Sequence, residues 1–523
     1  MRAQPLNPRW NLILTLLLAC AGVVAVGNFM NRAMASTAFW YDESVQYWIS
    51  RGLDAFGPPF QTPGGLADVM KHNGLANLDP GGFSVIFYYW LLIARDPLWM
   101  RILPLAIFLV GMLSLGWLGW RWRQSWRFAL LSALMPAAFP LLLDHANETR
   151  AYSMEFTGVF VGCLLVDLFL TRPKPATSLI AGLLLGLFLT SRYSAIFIAG
   201  AISVIWLLQV VRLPVSWSRR TAHLLLFFVP LGLAGLGVVF LGFVPQYHAR
   251  IAYDGGTMVE YLNPHKLGAI PWADTLKLLA DNLFSLVALP TTVIPAIALF
   301  LLKKPAGSLA EGDVWHRSRQ FYLMSLAAVL FTAALWKWHP WAVQTKWSSY
   351  LHALSAVMLV RLTADVLESL SRRRGLTGSN PVLQEAVLAA AICVLCTCLV
   401  VHRQDLTFDL EKTLAYLDRH KPKRGTVAVE VHSYPTLRYF YDEGPFCGTA
   451  FYPRAFRLPN WQAPNPLIGE NTLLLLSGAR LEQLSSMYPG FRFTVDPKLP
   501  RNLVRVEPST VPLVKPATPA SPP

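Results

Sequence analysis

The sequence predicts an α-helical polytopic membrane protein with a small α/β domain near its C-terminus. Of its 523 residues, 54% are hydrophobic and 14% are charged, and the mean hydropathy is +0.41. Because soluble domains carry about 25% charged residues, this composition excludes an ordinary soluble fold. The apolar residues gather in long runs, as membrane-spanning helices require, and the basic residues gather in the short loops between those runs.

The apolar runs predict about eleven spans, because a helix needs roughly 20 apolar residues to cross the bilayer. These runs are 11–29, 101–120, 128–146, 152–170, 178–190, 193–211, 221–243, 281–302, 320–336, 347–364 and 384–402. A further run at 83–94 is too short for a ~30 Å hydrocarbon core at about 1.5 Å per residue. It predicts a partly inserted or re-entrant helix. The first run lacks a small-residue cleavage site, so we expect a retained span and not a signal peptide.

The basic loops predict which ends of the spans face the cytoplasm, because Lys and Arg concentrate on that side. These loops are 121–127, 172–174, 212–220, 303–319 and 372–374. The N-terminus is then inside, and the C-terminal region is outside. The other outer segments are 30–82, 144–152, the turn at 191–193, 244–280 and 337–346. The same basic loops account for the net charge of +15. Since no basic stripe accompanies a nucleic-acid-reading motif, we expect no nucleic-acid partner.

We divide the chain into a membrane domain at 1–402, which includes the outer loop 30–82, and an outer α/β domain at 403–507. The second domain is predicted from its polar composition and from segments typical of short helices and strands. These segments are helices at 407–419 and 437–441 and strands at 425–431, 472–476 and 491–495. The tail at 508–523 is rich in Pro, Thr, Ser and Ala and is predicted to be disordered.

Asp42 and Glu43 are the first candidates for chemistry, as adjacent carboxylates shortly after the first apolar run. Such a pair at the mouth of a membrane domain suits acid/base or metal chemistry, and the alternative is a solvated pair in a loop. Their loop, 30–82, is about fifty residues long, and loops of that length are more often functional than not. Later in the loop, Asp79 precedes an aromatic helix. Asp79 either forms a second acidic edge of the site or lies in a polar turn beside an interfacial belt of aromatic residues.

The candidates for binding an anion lie at three other positions that are predicted to be outside. Glu148, Arg150 and Tyr152 lie at a junction of two spans, where they form either an ion pair that caps two helices or a functional group. Arg192 lies at a turn between two apolar runs and either snorkels to the interface or binds a lipid phosphate. Lys346 lies among tryptophans and is either an interfacial anchor or a second phosphate ligand.

Taken in order, these elements resemble the GT-C glycosyltransferases that use polyprenyl-phosphate sugars. The nearest branch is the family of dolichyl-phosphate-mannose protein mannosyltransferases and the bacterial lipid A aminoarabinose transferase. The matching motifs are Asp42-Glu43, Asp79-Pro80, Arg101-Ile102-Leu103-Pro104, Glu148-x-Arg150-x-Tyr152 and Leu189-Thr190-Ser191-Arg192, over residues 1–365. One departure concerns two consecutive prolines that are common in the family. Here the second is Gly81, which predicts a less rigid start to the following helix.

The resemblance implies transfer of a sugar from a polyprenyl-phosphate donor to a glycan, lipid or protein acceptor at the outer face of the bacterial inner membrane. It implies that Asp42 takes the proton of the acceptor hydroxyl and that Glu43 orients the acceptor or binds a metal. The leaving lipid phosphate needs cations, for which Arg150, Arg192 and Lys346 are the candidates. Asp79, Glu148 and Tyr152 complete the expected substrate-binding set. A single displacement inverts the anomeric centre, and the need for a divalent cation stays open.

Two other classes of protein are alternatives. A multi-span transporter predicts ionisable residues within spans and internal pseudo-symmetry, whereas here the charges lie mostly at span ends and no internal repeat is present. An enzyme like an O-antigen ligase or polymerase predicts arginine and histidine in a large outer loop between late spans. Here the longest outer loop follows the first span and carries the carboxylates. Both comparisons favour the glycosyltransferase.

Overall fold

A computed structural model describes the chain in two units. The residues that it describes are 8–33, 41–58, 60–77, 79–253, 289–301, 309–338, 349–373, 381–400, 410–420, 427–429, 434–443, 472–475, 491–499 and 503–508. The first unit takes Met1–Ala35 and Leu66–Arg403, and the second takes Ser36–Gly65 and Gln404–Pro523. The first part of the long loop is therefore grouped with the C-terminal region, and not with the membrane helices as the sequence predicted.

Helices make up nearly all of the described residues of the first unit, because a chain in lipid must satisfy its backbone hydrogen bonds within each segment. The described helices of the whole chain are α1 (Pro8–Ala33), α2 (Tyr41–Ser50), α3 (Leu66–Ala76), α4 (Gly82–Leu91), α5 (Pro97–Arg123), α6 (Trp126–Leu134), α7 (Pro140–Asp144), α8 (Tyr152–Thr171), α9 (Pro175–Leu189), α10 (Ala195–Arg212), α11 (Trp217–Gly237), α12 (Val244–Tyr253), α13 (Ile294–Leu301), α14 (Leu309–Trp338), α15 (Tyr350–Arg373), α16 (Pro381–Val400), α17 (Leu410–His420) and α18 (Tyr434–Asp442). Two π-helical turns, Val238–Phe243 and Leu289–Val293, adjoin α12 and α13.

Four stretches among the described residues are long and apolar enough to cross a membrane. They are Pro97–Arg123, Tyr152–Thr171, Ala195–Arg212 and Trp217–Ala249. Shorter apolar helices lie at Thr15–Met30, Gly82–Leu91, Pro175–Leu189, Pro290–Leu299 and Glu385–Cys396. These helices agree with the predicted polytopic membrane protein. The count of about eleven spans and the orientation stay predictions.

Helix α4 is short, as the sequence predicted. Its ten residues rise about 15 Å, half the thickness of the hydrocarbon core. The chain then turns into α5, where Asp96 caps the helix by accepting from the Trp99 amide at 2.9 Å. Trp90 and Trp99 stack with ring centroids 4.4 Å apart, and each indole N–H donates to the other's backbone carbonyl. This pair fixes the junction between the short helix and the long one.

The predicted span at 128–146 is wrong as a single helix. The described chain forms α6, then a 3-10 turn at Met135–Ala138, then the short α7. Pro136 and Pro140 cause the breaks, because proline has no N–H to donate and clashes with the preceding turn. More than half of the residues in this segment are nevertheless buried.

Helix α8 is almost wholly buried in the first unit, and small residues let its neighbours approach it. A Cβ added to Gly111 of α5 would lie 2.8 Å from the Thr157 hydroxyl oxygen, and one added to Gly158 would lie 2.8 Å from Cβ of Phe188. Close approach at small residues is typical of packed membrane helices. The buried position of α8 matters for function, because its first turn carries Tyr152 and Glu155.

The second unit contains a four-stranded sheet in the order β1-β2-β4-β3. Its strands are β1 (Val427–Val429), β2 (Thr472–Leu475), β3 (Phe491–Thr494) and β4 (Leu503–Pro508). β1 pairs parallel with β2, and β4 pairs antiparallel with both β2 and β3. The first three strands lie where the sequence predicted them, as do α17 and α18, whereas β4 was not predicted. Beyond β4 the predicted disordered tail lies outside the described residues.

Candidate functional site

Asp79 lies in a turn on which four parts of the first unit converge. Its carbonyl oxygen accepts from Asn73 Nδ2 at 2.9 Å and from Gln246 Nε2 at 2.6 Å. Asn73 Oδ1 accepts in turn from Ser84 Oγ at 2.8 Å, and Gln246 Oε1 accepts from the Tyr193 hydroxyl at 3.0 Å. Side chains of α3, α4, α12 and the α9–α10 turn therefore hold the backbone on which the Asp79 carboxylate is mounted.

The glycines after Pro80 explain the departure from two consecutive prolines. Gly81 has a φ of +101°, which glycine adopts readily and which the proline ring forbids. The next residue, Gly82, donates its amide to the Thr190 carbonyl at 3.0 Å. A Cβ on Gly82 would lie 2.5 Å from Cβ of Thr190 and 2.7 Å from its carbonyl oxygen. Close packing, and not a proline ring, fixes the start of α4.

We expect Gly82→Ala to destabilise the protein by about 1–3 kcal/mol, the usual cost of overpacking, and to reduce activity by displacing the Asp79 turn from Thr190. Thermal unfolding of the purified protein in detergent measures the first effect. The matched control is Gly232→Ala, because a Cβ at Gly232 would meet nothing within 4 Å. Equal stability of the two variants would contradict the close packing of this turn.

Two guanidinium groups flank the Asp79 carboxylate. Arg192 Nε lies 3.5 Å from Asp79 Oδ1, and Arg150 Nη2 lies 3.6 Å from Asp79 Oδ2. The side chains of Arg192 and Asp79 are only 4% and 7% exposed. Charge-assisted N–H···O bonds measure about 2.7–2.9 Å, so these two pairs are electrostatic contacts and not hydrogen-bonded forks. Three predicted site residues thus come together, and the snorkelling interpretation of Arg192 is wrong because its side chain is buried.

Glu155 is a second carboxylate beside Arg192, and the sequence interpretation missed it. Its Oε2 lies 3.6 Å from Arg192 Nη1 and accepts from Ser349 Oγ at 2.6 Å, while its Oε1 accepts from Ser194 Oγ. The Glu155 side chain is fully buried. One signal was present in the sequence, since an acid just inside an apolar run is costly in lipid and tends to be functional.

The Tyr152 ring makes cation–π contacts with both arginines. The guanidinium carbon of Arg192 lies 4.0 Å from the Tyr152 ring centroid, and that of Arg150 lies 5.4 Å from it. The His145 ring stacks on Tyr152 at 4.1 Å, and His145 Nδ1 pairs with the Glu148 carboxylate. Cation–π contacts are attractive when the cation lies within about 6 Å of the ring. Tyr152 therefore connects the predicted Glu148 to the predicted arginines.

Arg192 keeps its positive charge in this buried position. Burial acts to lower its pKa, but Tyr152, Glu155 and Asp79 outweigh burial and raise the pKa of Arg192 above its ordinary value. An arginine of this kind is charged at every pH at which the protein is folded. The cluster of Asp79, Arg150, Tyr152, Glu155 and Arg192, called the arginine cluster below, thus brings two guanidinium groups and two carboxylates together.

Asp42 and Glu43 belong to the second unit, where α2 begins at Tyr41. Both lie in the first turn of that helix, where the helix dipole stabilises negative side chains. Glu43 is 2% exposed, so the interpretation as a solvated loop pair is wrong for this residue, while Asp42 is half-buried. A carboxylate at a helix start on packed structure is better ordered than one in an open loop.

Two predictions are not tested by the described residues. Lys346 lies outside them and stays a predicted phosphate ligand. The second is a metal at Asp42 and Glu43: in the described part of the chain no three His, Cys, Asp or Glu side chains form a group that could hold a metal ion. The need for a divalent cation stays open.

Comparisons with known proteins find similar solved structures. The oligosaccharyltransferase AglB from Archaeoglobus fulgidus, in complex with an inhibitory peptide and a dolichol-phosphate, is 13% identical with a TM-score of 0.41, over 97% of this chain and 75% of that one. The same oligosaccharyltransferase with Zn and sulfate has a TM-score of 0.43 at 13% identity, over 95% of this chain and 75% of that one.

The arabinosyltransferase EmbB from Mycobacterium smegmatis is 15% identical with a TM-score of 0.44, over 77% of this chain and 39% of that one. No family model and no curated protein matches the sequence. The names of the similar structures are those of sugar-transferring enzymes, the class that the sequence motifs resemble. With identities of 15% or less and TM-scores of 0.44 or less, the function rests on the residues of this chain.

Proposed function

We propose that the chain is a membrane glycosyltransferase. It moves a sugar from a polyprenyl-phosphate donor to a hydroxyl group of a glycan, lipid or protein acceptor at the outer face of the bacterial inner membrane. The observation that carries the proposal is the arginine cluster, in which Arg150 and Arg192 lie 3.6 and 3.5 Å from the same carboxylate. Arg192 is buried and Arg150 is half-buried, and taking guanidinium groups out of water is costly unless anions compensate them.

The chemistry of the leaving group explains why two arginines suit this reaction. A polyprenyl-phosphate sugar is a phosphodiester with one negative charge, and the polyprenyl phosphate that leaves is a monoester with up to two. The additional charge develops as the bond to the sugar breaks. Cations placed where charge develops stabilise the transition state more than the ground state, which is what accelerates a reaction. Arg150, just before α8, and Arg192, just before α10, supply such cations.

The proposed step is one displacement. The acceptor oxygen forms a bond to the anomeric carbon, and the bond between that carbon and the phosphate oxygen breaks with its electron pair going to the phosphate. The Asp42 carboxylate takes the acceptor proton, and Glu43 orients the acceptor or binds a metal. A single displacement inverts the anomeric centre. Asp79 and Glu155 hold Arg192 in place, and Tyr152 supports both arginines.

Purified protein in lipid vesicles, supplied with a polyprenyl-phosphate sugar and an envelope extract as the acceptor source, tests the function. We expect one molecule of polyprenyl phosphate to be released for each sugar transferred. Transfer from a nucleotide sugar without any lipid carrier would contradict the proposed donor. Movement of the intact donor across the vesicle membrane, with no polyprenyl phosphate released, would instead favour a transporter.

A further inference from the structure

Helix α2, whose first turn carries the Asp42-Glu43 pair, packs one face against helix α18 in the second unit. Ser44 Oγ lies 2.9 Å from Thr436 Oγ1, and the two residues are 392 positions apart in the sequence. One turn later, Trp48 Nε1 donates to the Pro435 carbonyl at 2.9 Å. Ser44 and Trp48 are spaced by four residues and therefore lie on the same face of α2.

A charged cluster lies in the same interface, at the C-terminal ends of α2 and α18. Glu443, just after α18, pairs with Arg51 and accepts from the Tyr47 hydroxyl. Arg51 Nη1 in turn donates to that hydroxyl oxygen at 2.6 Å. The Tyr47 and Tyr439 rings pack edge to face, with their centroids 5.0 Å apart. Burial, with Glu443 adding to it, raises the pKa of Tyr47. Tyr47 therefore stays protonated and keeps donating to Glu443.

Arg438 of α18 binds the segment of chain that follows α2 and so holds that segment against α18. It is 1% exposed, and its guanidinium carbon lies 4.0 Å from the Trp48 ring centroid. The group donates to the Asp54 carbonyl at 2.7 Å and to Gln61 Oε1 at 3.3 Å, and it pairs with Asp442 at 3.2 Å. An arginine buried with this many partners is a structural centre, because removing it leaves several polar groups unsatisfied.

We propose that α18 is the platform that positions the Asp42-Glu43 pair, and that Arg438 and Glu443 are positioning residues for these carboxylates. A ten-residue helix is shorter than the ~12–15 residues that an isolated helix needs in water. The geometry of α2 must therefore come from packing, which the contacts to α18 provide. The inference rests on the proposed function, since it assigns the C-terminal region a role in the same reaction.

A disulfide cross-link tests the contact without any assay of activity. In the full-length protein with Ser44→Cys and Thr436→Cys, diamide accepts the two electrons and two protons that the thiols release as the bond forms. We expect the linked peptides in mass spectra of the double variant, and neither single variant gives them. The oxidised protein should transfer sugar within about twofold of the reduced protein, because the disulfide joins residues already in contact. Absence of the link, or loss of transfer on oxidation, overturns the proposal.

Separate measurements of kcat and of the KM for the donor test the positioning role of Arg438. We expect Arg438→Leu to lower kcat by about 10²-fold, the loss that a displacement of about 1 Å causes in a reacting group. The KM for the donor should stay unchanged, because the arginine cluster belongs to the other unit. Arg438→Lys should recover part of kcat. The matched control is Arg505→Leu, because Arg505 is a half-exposed arginine of the same unit.

The outcomes separate the two proposals. An unchanged kcat in Arg438→Leu overturns the positioning role, and so does an equal loss of donor affinity, which would indicate general unfolding. If the wild-type protein transfers no sugar while the cross-link still forms, the proposed function fails and the contact between α2 and α18 stands.

Discussion

Asp42→Asn is expected to lower sugar transfer by about 10²- to 10⁴-fold, the usual contribution of a positioned acid/base group, while the amount of folded protein stays normal. The acceptor hydroxyl must lose its proton as it attacks, and an amide cannot take that proton. Asparagine has the size of aspartate and loses only the interaction of the charge with the helix dipole, about 0.3–1 kcal/mol, so α2 should keep its packing. Initial rates of transfer in vesicles measure the effect.

The matched control is Asp68→Asn. Asp68 is also an acid in the first turn of a helix of the long loop, α3, and its side chain is exposed. The control variant should transfer sugar at the wild-type rate. Unchanged turnover in Asp42→Asn would remove Asp42 from the role of base, whereas equal losses in both variants would indicate a general effect of charge in the loop.

The second large effect is expected at Arg192. Arg192→Gln should lower kcat by about 10²- to 10³-fold, as the loss of one group that stabilises developing charge does. It should also destabilise the protein by about 3–5 kcal/mol, because it leaves buried carboxylates without their cation. Arg212→Gln is the control. Arg212 is exposed and is the last residue of α10, the helix that follows Arg192.

A double variant with the net charge of the wild-type protein separates the effect of Arg192 on sugar transfer from its effect on stability. Glu155 lies 3.6 Å from Arg192 and is fully buried, so Arg192→Gln combined with Glu155→Gln removes one charge of each sign. We expect the double variant to recover most of the lost stability, measured by thermal unfolding, and none of the lost transfer. Recovery of transfer together with stability would show that Arg192 acts only on the fold.

The sequence predicted those parts of the site that lie at the ends of apolar runs. Arg150, Tyr152 and Arg192 were found because polar residues there interrupt long hydrophobic segments, and Asp79 because it precedes a helix in a long loop. The structure brings these four together. Glu155 was missed because a single acid hardly changes the average hydropathy of the run that contains it, although its burial cost is large.

Contacts between distant parts of the chain could not be predicted from local patterns. The pairing of Ser44 with Thr436 spans 392 positions, and neither residue carries a signal of its own. The break at Pro136 was visible in the sequence but was outweighed by the apolar composition around it. Strand β4, which pairs with β2 and β3, was not predicted, and its last residue, Pro508, is the first residue of the tail that composition predicted to be disordered.

A cryo-electron microscopy structure of the protein with a polyprenyl-phosphate sugar bound tests phosphate binding by Arg150 and Arg192 most directly. We expect phosphate oxygens at charge-assisted hydrogen-bonding distance, about 2.7–2.9 Å, from the guanidinium groups of Arg150 and Arg192. The same phosphate should be absent from Arg192→Gln protein prepared in the same way. A phosphate bound away from both arginines would contradict their proposed role.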